Sequence, residues 1–318
     1  MRTAFIETLC RLARQDERIW LLAGDLGFSV LERFAQAFPG RFVNVGVAEQ
    51  NMMGVAAGLA LCGNVVFTYS IANFPTFRCL EQIRNDVCHH RANVKIVAVG
   101  GGLAYGTQGY THFGLEDLAV MRCLPYMTVV APGDPIEARL ATEAIAAHDG
   151  PCYLRLGKSG EALVHTREPT FRLGQAIVVR DGGDVTLVST GAILSRVVEA
   201  ARLLQTRGIS ARVLSVPTVH PLDVGALRRA AAETALLAVV EEHHAVGGLS
   251  DAVTRALAGG LSVPVRFFAL DGPSLAAGQQ IGNQDYLLDL AGLSPHALCE
   301  SVLDALQAEK VGLACAGR

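Results

Sequence analysis

A single acidic residue within an apolar segment is the first candidate for chemistry in this sequence. Glu49 lies in the stretch GVAEQNM at 46–52, between an extended segment at 41–45 and an apolar run at 52–61 that predicts a buried helix. The dipole of that helix favours a carboxylate in its first turn. A carboxyl group in such surroundings can give or accept a proton near neutral pH, although a capping residue at an interface is an equally good interpretation.

A second group of polar residues occurs at the end of a predicted strand in the other half of the chain. Glu241 and Glu242 are followed by His243 and His244, and two glycines then lead into a predicted helix. Carboxylate and imidazole groups bind metals, but neighbouring residues of a strand point to opposite faces of the sheet. The arrangement therefore favours a structural or interface role over a metal site.

The composition indicates a soluble globular protein that is large enough for two domains. Of the 318 residues, 51% are hydrophobic and 18% are charged, and the formal net charge is -3. Lys and Arg total 27 against 30 Asp and Glu, so the sequence predicts no nucleic-acid surface. No apolar run approaches the length of a membrane span, and the first residues lack the pattern of a signal peptide.

The cysteines give an expectation about location. All eight are scattered along the sequence, mostly in apolar stretches, and none forms a CxxC pair. Reduced, buried thiols are the simplest interpretation, which predicts a cytoplasmic protein without a zinc site of its own.

The order of short β-rich runs and longer helical patterns predicts the fold class. In the first half the predicted strands lie at 19–23, 43–45, 65–67, 95–99, 127–131 and 152–156. The predicted helices between them lie at 3–14, 29–37, 49–61, 75–89, 115–122 and 134–147. Such alternation is typical of a mainly parallel sheet that is covered by helices on both faces.

This pattern is interrupted between Gly157 and Gly174, where charged residues, glycine, serine and proline accumulate. A second alternation follows, with strands predicted near 185–189, 211–216, 236–240 and 265–269. Its predicted helices lie near 192–207, 223–232, 246–258 and 295–307. We therefore predict an α/β protein of two three-layer α/β/α domains with mainly parallel sheets, at residues 1–165 and 166–318.

Several motifs along nearly the whole chain occur in an order that resembles a known family. They are LLAGDLG, NVGVAEQNM, TYSIANFPTF, GYTHFGLED, VVAPGDPIEA, YLRLGK, VPTVHPLD and VVEEHHAVGG. The series is similar to the pyrimidine-binding domain and the following C-terminal domain of a transketolase, which deoxyxylulose-phosphate synthase also contains. The resemblance implies a thiamine diphosphate enzyme that transfers a two-carbon ketol unit from a ketose, expected to be a phosphate, to an aldose.

One motif of the family is missing from this chain. Transketolases hold the cofactor's diphosphate and a divalent metal through a GDG motif and a later Asn in an N-terminal domain. This chain reads GDLG at 24–27 and contains no GDG. The resemblance therefore implies a split transketolase in which this chain is the C-terminal subunit. A separate N-terminal subunit would carry the GDG motif and most of the Mg²⁺ site, in a heterotetramer of two copies of each chain.

The resemblance assigns five residues to the cofactor. Glu49 matches the carboxyl group that contacts the aminopyrimidine ring and starts its proton transfer. Phe74 and Phe77 match the aromatic positions that pack against that ring, where stacking contributes on the order of 1 kcal/mol. Ile71 occupies a position that is often aromatic in the family, and Asp25 matches an acidic residue near the cofactor and the interface.

The resemblance also assigns residues to the substrate. His112 matches a histidine that contacts the donor sugar near its carbonyl, and Arg155 matches an arginine directed at the substrate's terminal phosphate. Ser29 matches a serine of the same phosphate subsite and is also expected to be an N-cap. Gln108 replaces an Asp that contacts a donor hydroxyl, and Asn51 replaces a His often found near the catalytic Glu. These two departures favour a specialised sugar, such as a branched, deoxy or sulfo sugar.

Two other functions are compatible with the same domains. A subunit like the β chain of a 2-oxoacid dehydrogenase would need a lipoyl protein, and a deoxyxylulose-phosphate synthase-like subunit would release carbon dioxide from pyruvate. A catalytically silent partner that only assembles with or regulates a transketolase is the non-enzymatic alternative. The presence of both Glu49 and His112 argues against that silent role.

Overall fold

Strands and helices alternate along the chain in the computed structural model, which describes residues 1–260, 263–272, 275 and 280–316. The strands of the first half are β1 (Ile19–Ala23), β2 (Phe42–Asn44), β3 (Val65–Ile71), β4 (Val94–Val99), β5 (Thr128–Val130) and β6 (Cys152–Leu156). Its helices are α1 (Arg2–Gln15), α2 (Glu32–Ala37), α3 (Glu49–Leu61), α4 (Asn73–Phe77), α5 (Leu80–Gln82), α6 (Asp117–Arg122) and α7 (Pro135–Ala147). A π-helical segment, Ile83–Cys88, continues α5.

The second half repeats this alternation. Its strands are β7 (Ile177–Arg180), β8 (Val185–Thr190), β9 (Ala211–Ser215), β10 (Thr218–His220), β11 (Leu237–His244) and β12 (Val265–Leu270). Its helices are α8 (Leu194–Thr206), α9 (Val224–Glu233), α10 (Leu249–Leu257), α11 (Gln284–Leu290) and α12 (Pro295–Ala316).

The strands form two sheets, and nearly all neighbours in them run parallel. The first sheet has the order β10-β5-β6-β4-β3-β1-β2, with only the β10–β5 pair antiparallel. The second has the order β12-β11-β8-β9-β7, with only the β7–β9 pair antiparallel. Strands β3, β4 and β6 are buried at every position, which explains why they appear in the sequence as continuous apolar runs. The predicted α/β class with two mainly parallel sheets is confirmed.

The short strands β7 and β10 were not predicted, and β10 joins the two halves of the chain. Strand β10 comes late in the sequence, yet it pairs antiparallel with β5, with Thr218 opposite Val130 and His220 opposite Val129. It has three residues, too few for a period-two pattern to show in the sequence. The first sheet therefore includes chain from both sides of the predicted boundary at residue 165, and the boundary itself stays a prediction.

The end of β11 fastens the second half to a loop of the first. The carboxylate of Glu242 accepts a hydrogen bond from the backbone N–H of Leu103 at 2.7 Å, and the N–H of His244 donates to the carbonyl of Leu115 at 2.8 Å. Glu241 accepts hydrogen bonds from the first N–H groups of α10, those of Leu249 at 2.6 Å and Ser250 at 2.8 Å. These contacts agree with the structural role predicted for residues 241–244.

The structure also bears on membrane-spanning helices and on the state of the cysteines. Among the described residues, no helix is both long enough and apolar enough to span a bilayer. The cysteines whose side chains are described are all free thiols, and five of them are buried, whereas Cys62 and Cys123 are exposed. Cys315 lies outside the side chains that the structure describes.

The segment between the two halves is held by a buried carboxylate pair. One oxygen of Asp134 accepts hydrogen bonds from the N–H groups of Val164 at 3.0 Å and His165 at 3.1 Å. The imidazole of His165 contacts the buried carboxylate of Glu137 at 2.7 Å. Burial opposes a charged imidazole, but the hydrogen bond and negative charge of Glu137 outweigh it and raise the pKa of His165. This contact is therefore strongest when His165 is protonated.

We expect His165→Gln to reduce stability mainly at acidic pH. A raised pKa means that the folded protein favours the charged imidazole, so this stabilisation is fully present below a pH of about 6.5 and fades as the pH rises through the folded pKa. Glutamine keeps a donor but no charge, and we expect it to lower the free energy of unfolding at pH 6 by about 1–2 kcal/mol. Urea unfolding at pH 6 and pH 9 measures the difference.

The matched control is His89→Gln, because His89 is exposed. It should leave the unfolding free energy unchanged at both pH values. A loss for His165→Gln that is as large at pH 9 as at pH 6 would contradict the role given to the imidazole charge.

Candidate active site

The functional side chains follow strands that end at one edge of the first sheet. Strands β6, β4, β3 and β1 are parallel neighbours, so their carboxyl ends meet there. They end at Leu156, Val99, Ile71 and Ala23. Loops at this edge are where open α/β sheets usually bind ligands. Most of the predicted site residues lie in the segments that follow these four strands.

Glu49 is a buried carboxylate at the start of a helix. It is the first residue of α3, as predicted, and only 2% of it is exposed. Ser70 donates a hydrogen bond to its Oε1 at 3.2 Å from inside β3. Arg78 donates from Nη1 to both carboxylate oxygens, at 3.2 and 3.1 Å. The charge of Glu49 is thus compensated by one arginine although the carboxylate is almost removed from water.

An aromatic side chain lies beside this carboxylate. Phe74 is half-buried in α4, and the guanidinium carbon of Arg78 lies 3.8 Å from the centroid of its ring. The imidazole of His112 meets the same ring edge-on, with 5.2 Å between the centroids. Phe77 is also in α4, but 47% of it is exposed. Glu49, Phe74 and His112 are therefore brought together through Arg78 and a shared ring.

Phe74, Arg78 and His112 border an open cavity of about 660 Å³. Its walls are formed by α4, by the residue that follows it and by the loop that contains His112. The lining residues are Asn73, Phe74, Phe77, Arg78, Tyr110, Thr111, His112, Phe113 and Glu116. Aromatic rings and polar groups occur on both walls, a combination that suits a ligand with a flat ring and hydroxyl groups.

The loop that carries His112 is tightly packed. Gly102 and Gly114 exchange two backbone hydrogen bonds of 2.8 and 2.9 Å. A Cβ on Gly102 would lie 2.4 Å from the carboxylate of Glu242, so a larger residue there would displace the contact with the second half. His112 ends a single 3₁₀ turn, Tyr110–His112, and its Nδ1 is 3.0 Å from the hydroxyl of Thr111.

The protonation state of His112 follows from its surroundings. Partial burial and then the nearby positive charge of Arg78 lower the pKa of the imidazole. The ring is therefore neutral at pH 7. A neutral imidazole can donate a hydrogen bond to an oxygen that gains negative charge.

Three more predicted residues lie near this edge. Ile71 is the last residue of β3 and is buried at 8% exposure. Asp25 is exposed just after β1, and its carboxylate accepts a hydrogen bond from the side-chain amide of Asn44 at 3.1 Å. A Cβ on Gly24 would lie 3.5 Å from Oε1 of Glu49, so the end of β1 runs directly beside the carboxylate. Gln108 is exposed at the end of another 3₁₀ turn, Gly106–Gln108.

Ser29 does not cap α2 as expected. The helix begins at Glu32 with Leu31 in the capping position, and neither provides a side-chain cap. Ser29 has a left-handed backbone, with φ of 65°, and its N–H donates to the carboxylate of Glu32 at 2.7 Å. Its hydroxyl group stays exposed at the surface of the loop.

Arg155 is buried near the end of β6. The resemblance implied a phosphate contact, which stays a prediction, and the side chain is 5% exposed with Nε and Nη2 bonded inside the chain. Nε donates to the buried carboxylate of Asp117 at 3.0 Å, and Nη2 donates to the carbonyls of Gly114 at 2.7 Å and Glu242 at 2.9 Å. The guanidinium thus joins β6, the His112 loop and β11. These contacts give it a structural role, and its phosphate role stays a prediction.

We expect Arg155→Met to destabilise the protein strongly. The substitution would leave the buried carboxylate of Asp117 without its cation, which typically costs about 3–5 kcal/mol. Urea unfolding of the variant measures the loss. Arg202→Met is the matched control, because Arg202 forms an exposed pair with Glu199 that contributes little. Equal stability of the two variants would contradict the structural role of Arg155.

Two basic residues at this edge escaped the sequence analysis. Arg78 is four residues after Phe74, a spacing that places side chains on one face of a helix and could have drawn attention to it. Lys158 follows β6, is half-buried, and holds its ammonium nitrogen 4.7 Å from the centroid of the Tyr105 ring. No sequence signal points to the contact of Arg78 with Glu49 or of Lys158 with Tyr105, because these partners come from distant segments.

Family comparisons agree with the fold. Residues 1–160 match the family described as "Transketolase, pyrimidine binding domain", and residues 174–297 match "Transketolase, C-terminal domain". These two domains on parallel sheets define a transketolase-type α/β protein. The chain belongs to the transketolase family, which confirms the resemblance in its motifs.

The similar proteins include separately encoded subunits. The chain is 38% identical over 295 residues to the 6-deoxy-6-sulfo-D-fructose transketolase subunit of Clostridium sp. (strain MSTE9), covering 92% of this chain and 90% of that protein. It is 37% identical over 305 residues to an apulose-4-phosphate transketolase subunit of Phocaeicola vulgatus, covering 95% and 96%. A solved structure described as "Split gene transketolase, inactive beta4 tetramer" matches with a TM-score of 0.86 at 36% identity, covering 96% and 97%.

These similarities make the chain an enzyme subunit of the split transketolase type. It has the C-terminal pair of transketolase domains, and it acts with a separate partner subunit in a multimer. Membership of the family implies dependence on thiamine diphosphate.

Proposed function

We propose that this chain supplies the pyrimidine half of a thiamine diphosphate site for ketol transfer. A separate N-terminal subunit with a GDG motif would hold the diphosphate and a divalent metal such as Mg²⁺, in a complex of two copies of each chain. The observation that supports this most directly is the buried carboxylate of Glu49 beside the ring of Phe74.

The described residues fit an aminopyrimidine. The guanidinium of Arg78, a flat group with N–H donors, lies between the carboxylate of Glu49 and the ring of Phe74, and the space that it fills is called the groove below. Phe77 and Ile71 add apolar surface nearby, and Asp25 remains a proposed contact close to the interface. Within the part of the chain that the structure describes, no three His, Cys, Asp or Glu residues are grouped as metal ligands.

Each residue would have a defined task. When bound, thiamine diphosphate supplies a carbon nucleophile that adds to the ketose carbonyl and carries the two-carbon unit. Glu49 would hydrogen-bond to a nitrogen of the pyrimidine ring and move a proton there, and Ser70 keeps its Oε1 in place. His112, neutral at pH 7, would donate a hydrogen bond to the sugar oxygen on which negative charge develops.

We further propose that the donor is a specialised ketose. The two relatives named above carry the names of a 6-deoxy-6-sulfo-D-fructose and an apulose-4-phosphate transketolase, and each is similar over nearly its full length. Gln108 and Ser29 are exposed and are the proposed substrate contacts, with Gln108 in place of the family's Asp. A terminal phosphate or another anionic group on the sugar and a cytoplasmic location remain parts of this proposal.

Glu49→Gln should abolish turnover and spare the fold. Glutamine keeps the size of the side chain but cannot exchange a proton, and loss of a general acid or base costs about 10²- to 10⁴-fold in rate. The assay combines this chain, its candidate N-terminal subunit, thiamine diphosphate and Mg²⁺ with a panel of phosphorylated, sulfonated and branched ketoses. Each subunit alone should be inactive.

The control is Glu199→Gln, which removes an exposed carboxylate on α8 far from the cavity in sequence. It should keep full activity with the donor that the panel selects. Activity of this chain without a partner, or full turnover by Glu49→Gln, would refute the proposed division of the site.

A further inference from the structure

Arg78 occupies the groove that the proposed function gives to the aminopyrimidine. Its Nη1 donates to both oxygens of Glu49, and its guanidinium carbon lies 3.8 Å from the centroid of the Phe74 ring. The carboxylate and the ring are the two groups proposed above to bind the cofactor. The inference that follows therefore rests on the proposed function.

The guanidinium and the aminopyrimidine offer similar contacts. A guanidinium is flat and delocalised, carries its N–H donors in its plane, pairs with carboxylates and stacks on aromatic faces. An aminopyrimidine is also flat and donates N–H groups in its plane. Both would use the same carboxylate and the same aromatic ring, so they cannot occupy the groove together.

Arg78 lies at the end of a short helix with its side chain partly in solvent. It follows the last residue of α4 with helical dihedrals, φ of −64° and ψ of −28°, and Cys79 after it turns to φ of −129°. The Arg78 side chain is 44% exposed, whereas that of Glu49 is 2% exposed. Arginine can therefore turn into solvent through its side-chain torsions, but Glu49 cannot leave its site.

Removal of Arg78 without a replacement would be costly. A carboxylate that is almost excluded from water is strongly destabilised when it has no cation or donor beside it. Ser70 offers a single neutral hydrogen bond at 3.2 Å. Arg78 is thus the principal compensation for the charge of Glu49 among the contacts described, and a bound pyrimidine would have to replace it.

We propose that Arg78 is a built-in substitute for the aminopyrimidine. It pairs with Glu49 and covers Phe74 in the chain without cofactor, and it turns away when thiamine diphosphate binds. Arg78 therefore stabilises the free subunit and competes with the cofactor. A subunit waiting for its partner keeps its buried acid satisfied, and the cofactor binds tightly only when the diphosphate contacts of the partner add to those of the pyrimidine.

The variant Arg78→Met tests the inference through two measurements. It should bind thiamine diphosphate more tightly, and the free chain should become less stable. Calorimetric titration of the assembled complex with thiamine diphosphate in Mg²⁺ should show a dissociation constant lowered by about three- to tenfold, because the competitor is gone. Urea unfolding of the chain alone should show a lower midpoint, because Glu49 has lost its cation. Arg84→Met, on the exposed side of the following segment, is the matched control and should change neither.

Two additional variants test whether the competition depends on the flat guanidinium and on the carboxylate of Glu49. Arg78→Lys keeps the positive charge but not the flat fork, so it should fold and show a smaller gain in cofactor affinity in the same direction. In a Glu49→Gln background, Arg78→Met should raise the affinity less, since only the competition for the Phe74 ring remains.

Other outcomes have distinct meanings. Weaker or unchanged cofactor binding by both Arg78 variants would overturn the inference, because it would make Arg78 a cofactor contact or a purely structural residue. Failure of the unmodified complex to bind thiamine diphosphate would instead refute the proposed function.

Discussion

A negative charge that is nearly removed from water sets the requirements for the rest of this site. Glu49 can stay at the start of α3 only if other groups compensate it, and Ser70 and Arg78 are the side chains that do so. The surrounding fold follows from that need. Strand β3 carries Ser70, and the helix after the same strand carries Phe74 and places Arg78 just beyond its end. A single strand-to-helix connection thus brings a donor, an aromatic ring and a cation to one carboxylate.

Much of the fold was predictable because most strands and helices show a clear pattern of apolar residues in the sequence. The strand at 19–23 and the helix at 49–61 were predicted with their observed bounds, and the mainly parallel sheets follow from the alternation. The short strands β7 and β10 were missed because their hydrogen bonds, and not their side-chain patterns, define them. Helix α11, Gln284–Leu290, was missed as well. Residues 261–262 and 276–279 lie outside the described part of the chain.

The candidate site was predictable where a motif and a local position coincide. Glu49, Phe74 and His112 come from three separate segments, and the structure brings them around one arginine. The arginine itself was missed because its importance lies in contacts with a residue that precedes it by 29 positions. The internal contacts of Arg155 were missed for a similar reason. Its buried partners Asp117 and Glu242 come from distant segments, and its predicted phosphate contact stays a prediction.

Strand β10 follows the predicted boundary in the chain but pairs with β5 in the first sheet. This pairing determines where the protein can be cut into fragments for experiments. A fragment that ends near residue 165 would retain β5, whose three residues are buried, but would lack the strand that covers its outer edge. Uncovered apolar edges of this kind recruit strands from other molecules. Truncation at the apparent linker would therefore yield a self-associating product, and the two halves are better regarded as one cooperative unit for expression and crystallisation.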